Sequence, residues 1–399
     1  MKNYDAVVVG AGPAGSTAAY ILSKKGYRVL LLDKEKFPRR KLCGGALTGK
    51  TIRLLDNIFA ESPASLSKNK IIDSNSNHFE IRYKSDVLIK KDSAHTFYFI
   101  DRFIYDDFLL HKAREAGADT AVGEKITAIA NEQPVIHSPG LAGKRPGGEG
   151  MNELVTAGGR TIGAKFIIAA DGANSTLRSQ LVRENKIAAS GWRRGLAYAL
   201  EVSIEREEKF SAITYPILSF GYIRYGYAWI FPNRERLIAG MGGLERKNGT
   251  DLSDRFRTFL ADFGISTGKK LRGHPLPFGN FLTKPVWGNI LLVGDAAGLV
   301  DPMLGEGIYQ AHKSGELAAR AIIEKIENNK NIEDNYISLL KTHLMPEFIF
   351  ARRARWFVYN RLNHFLKYRS ARWVESSFDK LEQLIHGRRT YKWFKKKNL

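Results

Sequence analysis

Cysteine is nearly absent from this chain: Cys43 is the only one among 399 residues. A lone thiol excludes an internal disulfide framework, so a reducing, intracellular setting is expected. Long apolar runs are missing as well. No stretch approaches the roughly 20 apolar residues that a bilayer-spanning helix needs, and Met1-Lys2-Asn3-Tyr4-Asp5 leads directly into a strand without a leader-like segment. The expectation is a cytoplasmic monomer whose membrane contact, if it has one, is peripheral and on the inner face. No metal-ligand set, internal repeat or nucleic-acid module is visible, and no nucleic-acid partner is expected. Acids are in deficit, with 41 Asp and Glu against 62 Lys and Arg, a net charge of +21.

What the chain does have starts at Val7-Val8-Val9, which runs into Gly10-Ala11-Gly12-Pro13-Ala14-Gly15 and then an Ala-rich segment. Tyr27 to Asp33 follows as a second apolar strand ending in an acid. Strand, glycine turn, helix, strand and acid in this order form a dinucleotide-binding βαβ unit. Gly10 allows the tight turn, Gly12 lets backbone approach a pyrophosphate, and Gly15 lets the helix pack closely on the sheet. Unpaired N–H groups at the helix start would face the phosphates. Asp33 is placed to accept hydrogen bonds from the hydroxyls of an adenosine ribose.

Later segments suggest a split nucleotide domain. Cys43-Gly44-Gly45-Ala46 is too glycine-rich for a regular element. Residues 70 to 100 alternate like strands, with Phe79 to Tyr83 and Phe97 to Ile100 as their clearest parts, and Asp101 caps an amphipathic helix beginning at Arg102. The run Pro139 to Gly150 reads as a hairpin tip. An apolar strand Phe166 to Ala170 breaks at Asp171-Gly172, and a strand-like, aromatic region covers about 180 to 275. The expected division is a discontinuous nucleotide domain (1–70, 101–180 and 276–330), a substrate sheet (71–100 and 181–275) and a basic, aromatic-rich helical end (331–399).

A fourth apolar strand, Asn289 to Val293, ends in Gly294-Asp295 and is read as leading into a helix carrying Gly305, Gly307 and Ile308. One carboxylate at such a strand end can meet a polyol, and a helix start can meet a flavin. FAD has that polyol in its ribityl chain, and NAD has no equivalent. Together with Asp171-Gly172 and Arg102, this resembles the flavoprotein hydroxylase superfamily, in which a substrate sheet interrupts the nucleotide fold. The resemblance implies an FAD-binding Rossmann-like α/β domain of the GR2 type with a mostly antiparallel inserted sheet, and flavin contacts that include Ala14, Gly44, Ala46 and Val122. No cysteine or histidine stands in a covalent flavin-attachment motif.

Tyr227-Ala228-Trp229-Ile230-Phe231-Pro232, seven further residues and then Gly240-Met241-Gly242 resemble the signature of the geranylgeranyl reductase family. The Cys-Gly-Gly of residues 43 to 45 and the run GDAAGLVDPMLGEG ending at Gly307 fit the same family. The resemblance implies that Tyr227, Trp229, Phe231, Pro232, Gly240 and Gly242 line an isoprenoid pocket. Alternation puts the three rings on one side of a strand, where they can wall a long cavity or form an ordinary core face. The implied activity is saturation of C=C bonds in a geranylgeranyl or polyprenyl chain, with Cys43 near the flavin either donating a proton or packing as a small apolar group. An aromatic monooxygenase using NAD(P)H and oxygen, or a non-catalytic prenyl-lipid-binding flavoprotein, are the alternatives. With no second glycine fingerprint, the donor is NAD(P)H taken without a separate domain, or a small acidic ferredoxin or flavodoxin. Over residues 341–399, fifteen Lys and Arg stand against four Asp and Glu, interleaved with aromatics. That end reads as a solvated cap, a surface for anionic lipid or a dock for an acidic partner.

Overall fold

The structure, a computed structural model, describes residues 3–131, 151–266, 268–368 and 379–391. The hairpin tip expected at 139–150 and the final lysine cluster after Tyr391 lie outside the described residues.

Two eight-stranded sheets organise the chain. In the first, strand Asn3–Val9 runs parallel between Val29–Asp33 and Thr161–Ala169, with Asp119–Val122 and Ile290–Leu292 parallel beyond them. Val7, Val8, Leu31, Leu32, Ile167 and Ile168 are fully buried, as unbroken apolar strands are when both faces of a parallel sheet are covered. Helices Pro13–Lys24 and Ile308–Asn328 pack on each other so closely that a Cβ at Gly315 would fall 2.1 Å from the Ala14 carbonyl oxygen. The first crossover leaves Asn3–Val9 to one side and the later strands join it on the other. Ligands of open α/β sheets bind at such a reversal, outside the carboxyl ends of the strands. Gly10, Asp171 and Gly294-Asp295 all emerge there.

The second sheet has the order Arg272–Leu276, Ala197–Glu205, Arg236–Leu244, Gly226–Pro232, Ile217–Phe220, Ile72–Tyr83, Asp86–Ile100 and Ala46–Leu47. Its pairs are antiparallel except the one joining Ile217–Phe220 to Ile72–Tyr83. Leu200, Val202, Ala228, Ile230, Ala239 and Met241 form a core on one face with Phe256 and Phe259 of helix Leu252–Asp262. The opposite face turns toward the first sheet. The α/β fold with a mostly antiparallel second sheet and C-terminal helices is therefore observed.

Three local readings change. The strands seen at Phe79 to Tyr83 and Phe97 to Ile100 are the ends of much longer ones, whose middle parts carry bulges and polar residues that hide the alternation. The strand-like region from 180 to 275 also contains helix Leu252–Asp262. Gly305 and Gly307 precede their helix instead of lying in it: the chain makes a short 3-10 turn at Gly294–Ala297, and the helix starts at Ile308. Gly305 has φ +69, a left-handed conformation that suits glycine and does not continue a helix.

After that helix come Ile332–His343, Met345–Tyr368 and a helical segment over 379–385. Helix Met345–Tyr368 and Tyr391 are tied to the loop before Ile308 and to Phe278. Arg355 Nη1 donates to the carbonyls of Phe278 (2.8 Å) and Pro302 (3.1 Å), Tyr359 Oη donates to Met303 O (3.2 Å), and Tyr391 Oη donates to the Asp301 carboxylate (3.1 Å).

Candidate functional site

One cavity of about 1320 Å³ runs from the strand ends of the first sheet to the aromatic face of the second. Single-ligand sites usually hold about 300 to 1,000 Å³, so there is room for a large cofactor and a second molecule.

The polar end is shaped by glycines with distinct tasks. Gly10 has φ +106, and a Cβ there would lie 2.3 Å from the Ala170 carbonyl oxygen. A Cβ at Gly15 would lie 1.8 Å from Gly10 O, so the helix sits directly on the turn. Gly12 differs, since its nearest obstacle would be Arg39 Nη2 at 3.7 Å; it borders open space. Helix Pro13–Lys24 starts there without a side-chain cap and with proline in its first turn, leaving donors for an anion. Asp33 closes the wall, its two carboxylate oxygens accepting from Ala11 N (2.8 Å) and Glu35 N (2.9 Å). Asp171 accepts from Thr176 N (2.8 Å) and Leu177 N (3.3 Å), while its buried Oδ1 has no partner among the described residues.

The middle of the cavity holds the charged groups. Asp295 stands beside the start of helix Ile308–Asn328, which also has no side-chain cap; a Cβ at Gly307 would be 3.7 Å from Asp295 Oδ1. Arg102 is buried in a two-pronged pair with Asp106 (2.6 and 2.7 Å), and Arg39 Nη1 joins it at 2.9 Å. Burial opposes the Arg102 charge, but Asp106 outweighs it and raises the pKa above the ordinary guanidinium value, with the Cys43 thiol adding to the effect. Lys41 is lowered by burial, against the pull of Asp295. Its Nζ meets His274 Nε2 at 2.9 Å, and burial together with Lys41 pushes that imidazole down to about 4. Glu201 accepts a long hydrogen bond from Cys43 N (3.4 Å), and burial pushes its carboxyl up to about 7.

The far end is apolar. Phe79, Ile81, Phe97, Phe99, Leu218 and Phe220 line it with the rings of Tyr227, Trp229 and Phe231. The three rings follow one another along strand Gly226–Pro232 at centroid spacings of 5.9 and 6.3 Å. Glycines from two separate motifs make the slot for the indole. Gly240 is the register partner of Trp229, and a Cβ there would be 2.2 Å from the ring. A Cβ at Gly44 would be 2.7 Å from Phe231 and 3.0 Å from Trp229 Nε1. The Cys-Gly-Gly loop thus rests on the aromatic strand, and Tyr227 Oη donates to Leu304 O of the turn before Ile308. Trp229 Nε1 is buried with no partner among the described residues.

Of the residues singled out in the sequence, the cavity brings together Gly10, Gly12, Ala14, Asp33, Cys43, Gly44, Ala46, Arg102, Asp295, Gly305, Gly307, Ile308, Tyr227, Trp229, Phe231 and Gly242. Four are not in its lining. Gly15 is spent on packing against Gly10. Gly240 lies beneath the indole. Pro232 falls on the buried alternate positions of its strand with Ala228 and Ile230. Val122 pairs with Asp33 in register, and the lining passes Glu124, Lys125 and Ile126 instead. Sequence reasoning gave no role to Lys41, at the start of the Cys-Gly-Gly loop, and missed Glu201 and His274, isolated residues with no motif around them. It also missed the wall supplied by the C-terminal helices, including Phe350, Val358, Tyr359, Leu381, Leu384 and Ile385.

These features fit FAD. Gly12 and the uncapped start of Pro13–Lys24 would hold the pyrophosphate, Asp33 and Asp171 would meet hydroxyl groups, and Asp295 with the start of Ile308–Asn328 would hold the ribityl and flavin end. Comparison with known proteins agrees. Residues 3–216 match the family described as FAD binding domain. An uncharacterized protein of Methanosarcina barkeri is 31% identical over 332 residues, 82% of this chain and 76% of that one. Geranylgeranyl diphosphate reductase of Rhodobacter capsulatus is 29% identical over 82% of this chain and 77% of its own. The crystal structure of a geranylgeranyl bacteriochlorophyll reductase-like protein from Thermoplasma acidophilum shares the fold, with a TM-score of 0.74, 23% identity and coverage of 97% and 92% of the two chains. The chain belongs to the FAD binding domain family and is an FAD-dependent oxidoreductase.

Proposed function

We propose that this protein saturates isolated C=C bonds in a geranylgeranyl or longer polyprenyl chain. The observation that carries this reading is the continuity between the polar cradle and the aromatic-walled apolar lobe within one cavity. Relatives named geranylgeranyl diphosphate reductase point the same way. Bound FAD, once reduced, supplies a hydride. An isolated alkene polarises poorly, so the chain's own contribution is to orient it and exclude water. Trp229 and Phe231 pressed against Gly44 bring the apolar wall up to the Cys43 loop, and Phe97, Phe99 and Phe220 continue that wall for a flexible hydrocarbon.

The basic face would speed encounter with an acidic electron carrier, while NAD(P)H would have to approach without a domain of its own. Contact with anionic lipid is supported by helix Met345–Tyr368, where Ile349 (39% exposed) and Trp356 (60% exposed) stand outward with Arg352 and Arg353. Arg353 and its neighbour Phe350 also line the cavity. That face would bring the lobe to where prenyl lipids reside.

The test is to photoreduce the purified flavoprotein without oxygen and offer geranylgeranyl diphosphate, an unsaturated archaeal-type ether lipid and menaquinone in turn. A mass gain of two hydrogens per bond with flavin reoxidation is expected. A prenyl ligand that binds and stays unchanged would support a lipid-binding role, and NADPH-dependent oxygen consumption without saturation would support a monooxygenase.

A further inference from the structure

We propose that Glu201 is the residue that donates the proton in this reduction, and that the Cys43 backbone N–H aims its carboxyl. The assignment rests on the reductase reading above. Strand Ala197–Glu205 alternates between two environments: Leu200, Val202 and Ile204 enter the core shared with helix Leu252–Asp262, while Ala197, Ala199 and Glu201 line the cavity. On that wall of small apolar residues Glu201 is the one acid. Its register partner is Gly240, the residue under the Trp229 indole. Its carboxylate accepts from Cys43 N (3.4 Å), and the next residue, Gly44, touches Trp229 and Phe231. Glu201 thus stands where the aromatic lobe meets the loop that leads back to the cradle.

Other acids along the cavity already have work. Asp33, Asp171 and Asp295 stand at the strand ends of the first sheet, in the cradle assigned to FAD and not on the wall of the aromatic lobe. Glu306 pairs with Lys50 at 2.5 Å and accepts from Thr48 Oγ1 at 2.8 Å. Glu382 is held by Ser93 (2.7 Å) and His95 (3.3 Å). Lys41 and His274 hydrogen-bond each other, and an imidazole pushed down to about 4 carries no spare proton at neutral pH. Glu201 has no ion pair among the described residues. The charged groups around it are already paired: Arg102 with Asp106, and Arg236 with Asp101. Arg272, its register neighbour on the adjoining strand, is exposed, and Cys43 completes the surroundings. Burial raises the carboxyl to about 7, with the Cys43 N–H and Arg102 pulling against it, so a useful fraction is protonated near neutrality, where a general acid works best.

In the step, the Glu201 O–H bond breaks and the alkene π pair forms a C–H bond to that proton. The hydride for the other carbon, and with it both electrons, would come from reduced flavin once it is bound, and Glu201 is left as carboxylate until solvent reprotonates it.

Two measurements test this. In single turnovers of photoreduced holoenzyme with geranylgeranyl diphosphate, the wild-type rate should fall above about pH 7, because deprotonation removes the acid. Glu201→Gln should keep its flavin and its substrate affinity, slow at least about 100-fold, and show no such fall. Cys43→Ala keeps the backbone N–H and should retain the break. Separately, infrared spectra of the oxidised protein without substrate should contain a protonated-carboxyl band that disappears as pH rises through about 7 and is missing from Glu201→Gln. Should Glu201→Gln lose flavin, Glu201→Asp takes its place and must keep the break at a lower rate. A wild type that saturates the alkene alongside an equally fast Glu201→Gln, an Asp variant without the break, or a titrating band that survives in Glu201→Gln overturns the assignment. A wild type that reduces none of the prenyl lipids overturns the functional reading, and this assignment with it.

Discussion

Gly10 and Gly12 are two residues apart, and substitution should affect them in opposite ways. Gly10 combines a left-handed φ with a would-be Cβ only 2.3 Å from backbone. Gly10→Ala should therefore destabilise even the apoprotein, by roughly the 1 to 3 kcal/mol of a strained residue or more, and lower its Tm. Gly12 has φ −78, which any residue adopts, and open space beyond. Gly12→Val should fold with near-wild-type Tm as apoprotein and fail to retain FAD, which the visible spectrum reports. At the other end of the cavity, Trp229→Ala removes wall and leaves the cradle intact. Burial of such a ring is worth about 2 to 3 kcal/mol, so kcat/KM for long prenyl substrates should fall about 30- to 150-fold with flavin content unchanged. Equal loss of flavin and turnover would mark the ring as plain core. The glycines and acids of the cradle were legible from sequence because each sits at a strand end with a recognisable neighbour. Glu201 was not: an acid between Leu200 and Val202 looks like the solvent side of an amphipathic strand, and only the second layer packed over it makes that side an interior.

Secondary elements were legible where local chemistry is strong and misread where a turn imitates it. Asp101 caps helix Arg102–Glu115 by accepting from Phe103 N (2.9 Å), as its position before an apolar-periodic run foretells. The segment from Gly294 to Gly307 has too many glycines and a proline to be one element, and it folds as a turn and loop between strand and helix. The C-terminal helices were recognised as helical and basic, but nothing in their composition says which face meets a cavity. Their attachment is testable through Arg355, which is buried and donates to Phe278 O, Pro302 O and Gly279 O. Arg355→Met would leave those carbonyls unpaired at about 1 to 3 kcal/mol each. Limited proteolysis should then release the C-terminal segment early, and prenyl turnover should fall before flavin is lost.

For the whole molecule, the excess of positive charge makes a salt-dependent prediction. If the outward face of Ile349, Arg352, Arg353 and Trp356 lies on lipid, sedimentation with anionic vesicles should be strong at low ionic strength and weaken as salt rises, at about 1 kcal/mol per well-placed Lys or Arg. Ending the chain at Tyr391 should remove part of that binding and leave the flavin spectrum as it was. Binding indifferent to both salt and truncation would leave the basic end as a cap over the cavity. Sequence showed that charge and aromatics concentrate in this region; that one side of it closes the apolar lobe depends on contacts with residues some 300 positions earlier, which no local pattern records.

The wall built from Phe350, Val358, Tyr359, Leu381, Leu384 and Ile385 also sets an order of events on the ribosome. The cradle is complete once helix Ile308–Asn328 has emerged, yet the apolar lobe gains its last side only when Leu381, Leu384 and Ile385 follow. At about 5 to 20 residues per second, that interval lasts several seconds. During it the nascent chain can take up FAD through an open side while Phe79, Phe97, Phe99 and Phe220 stand uncovered. Completion of the cradle and shielding of the phenylalanines would thus be separated in time, and slow translation between codons 329 and 385 would lengthen the interval.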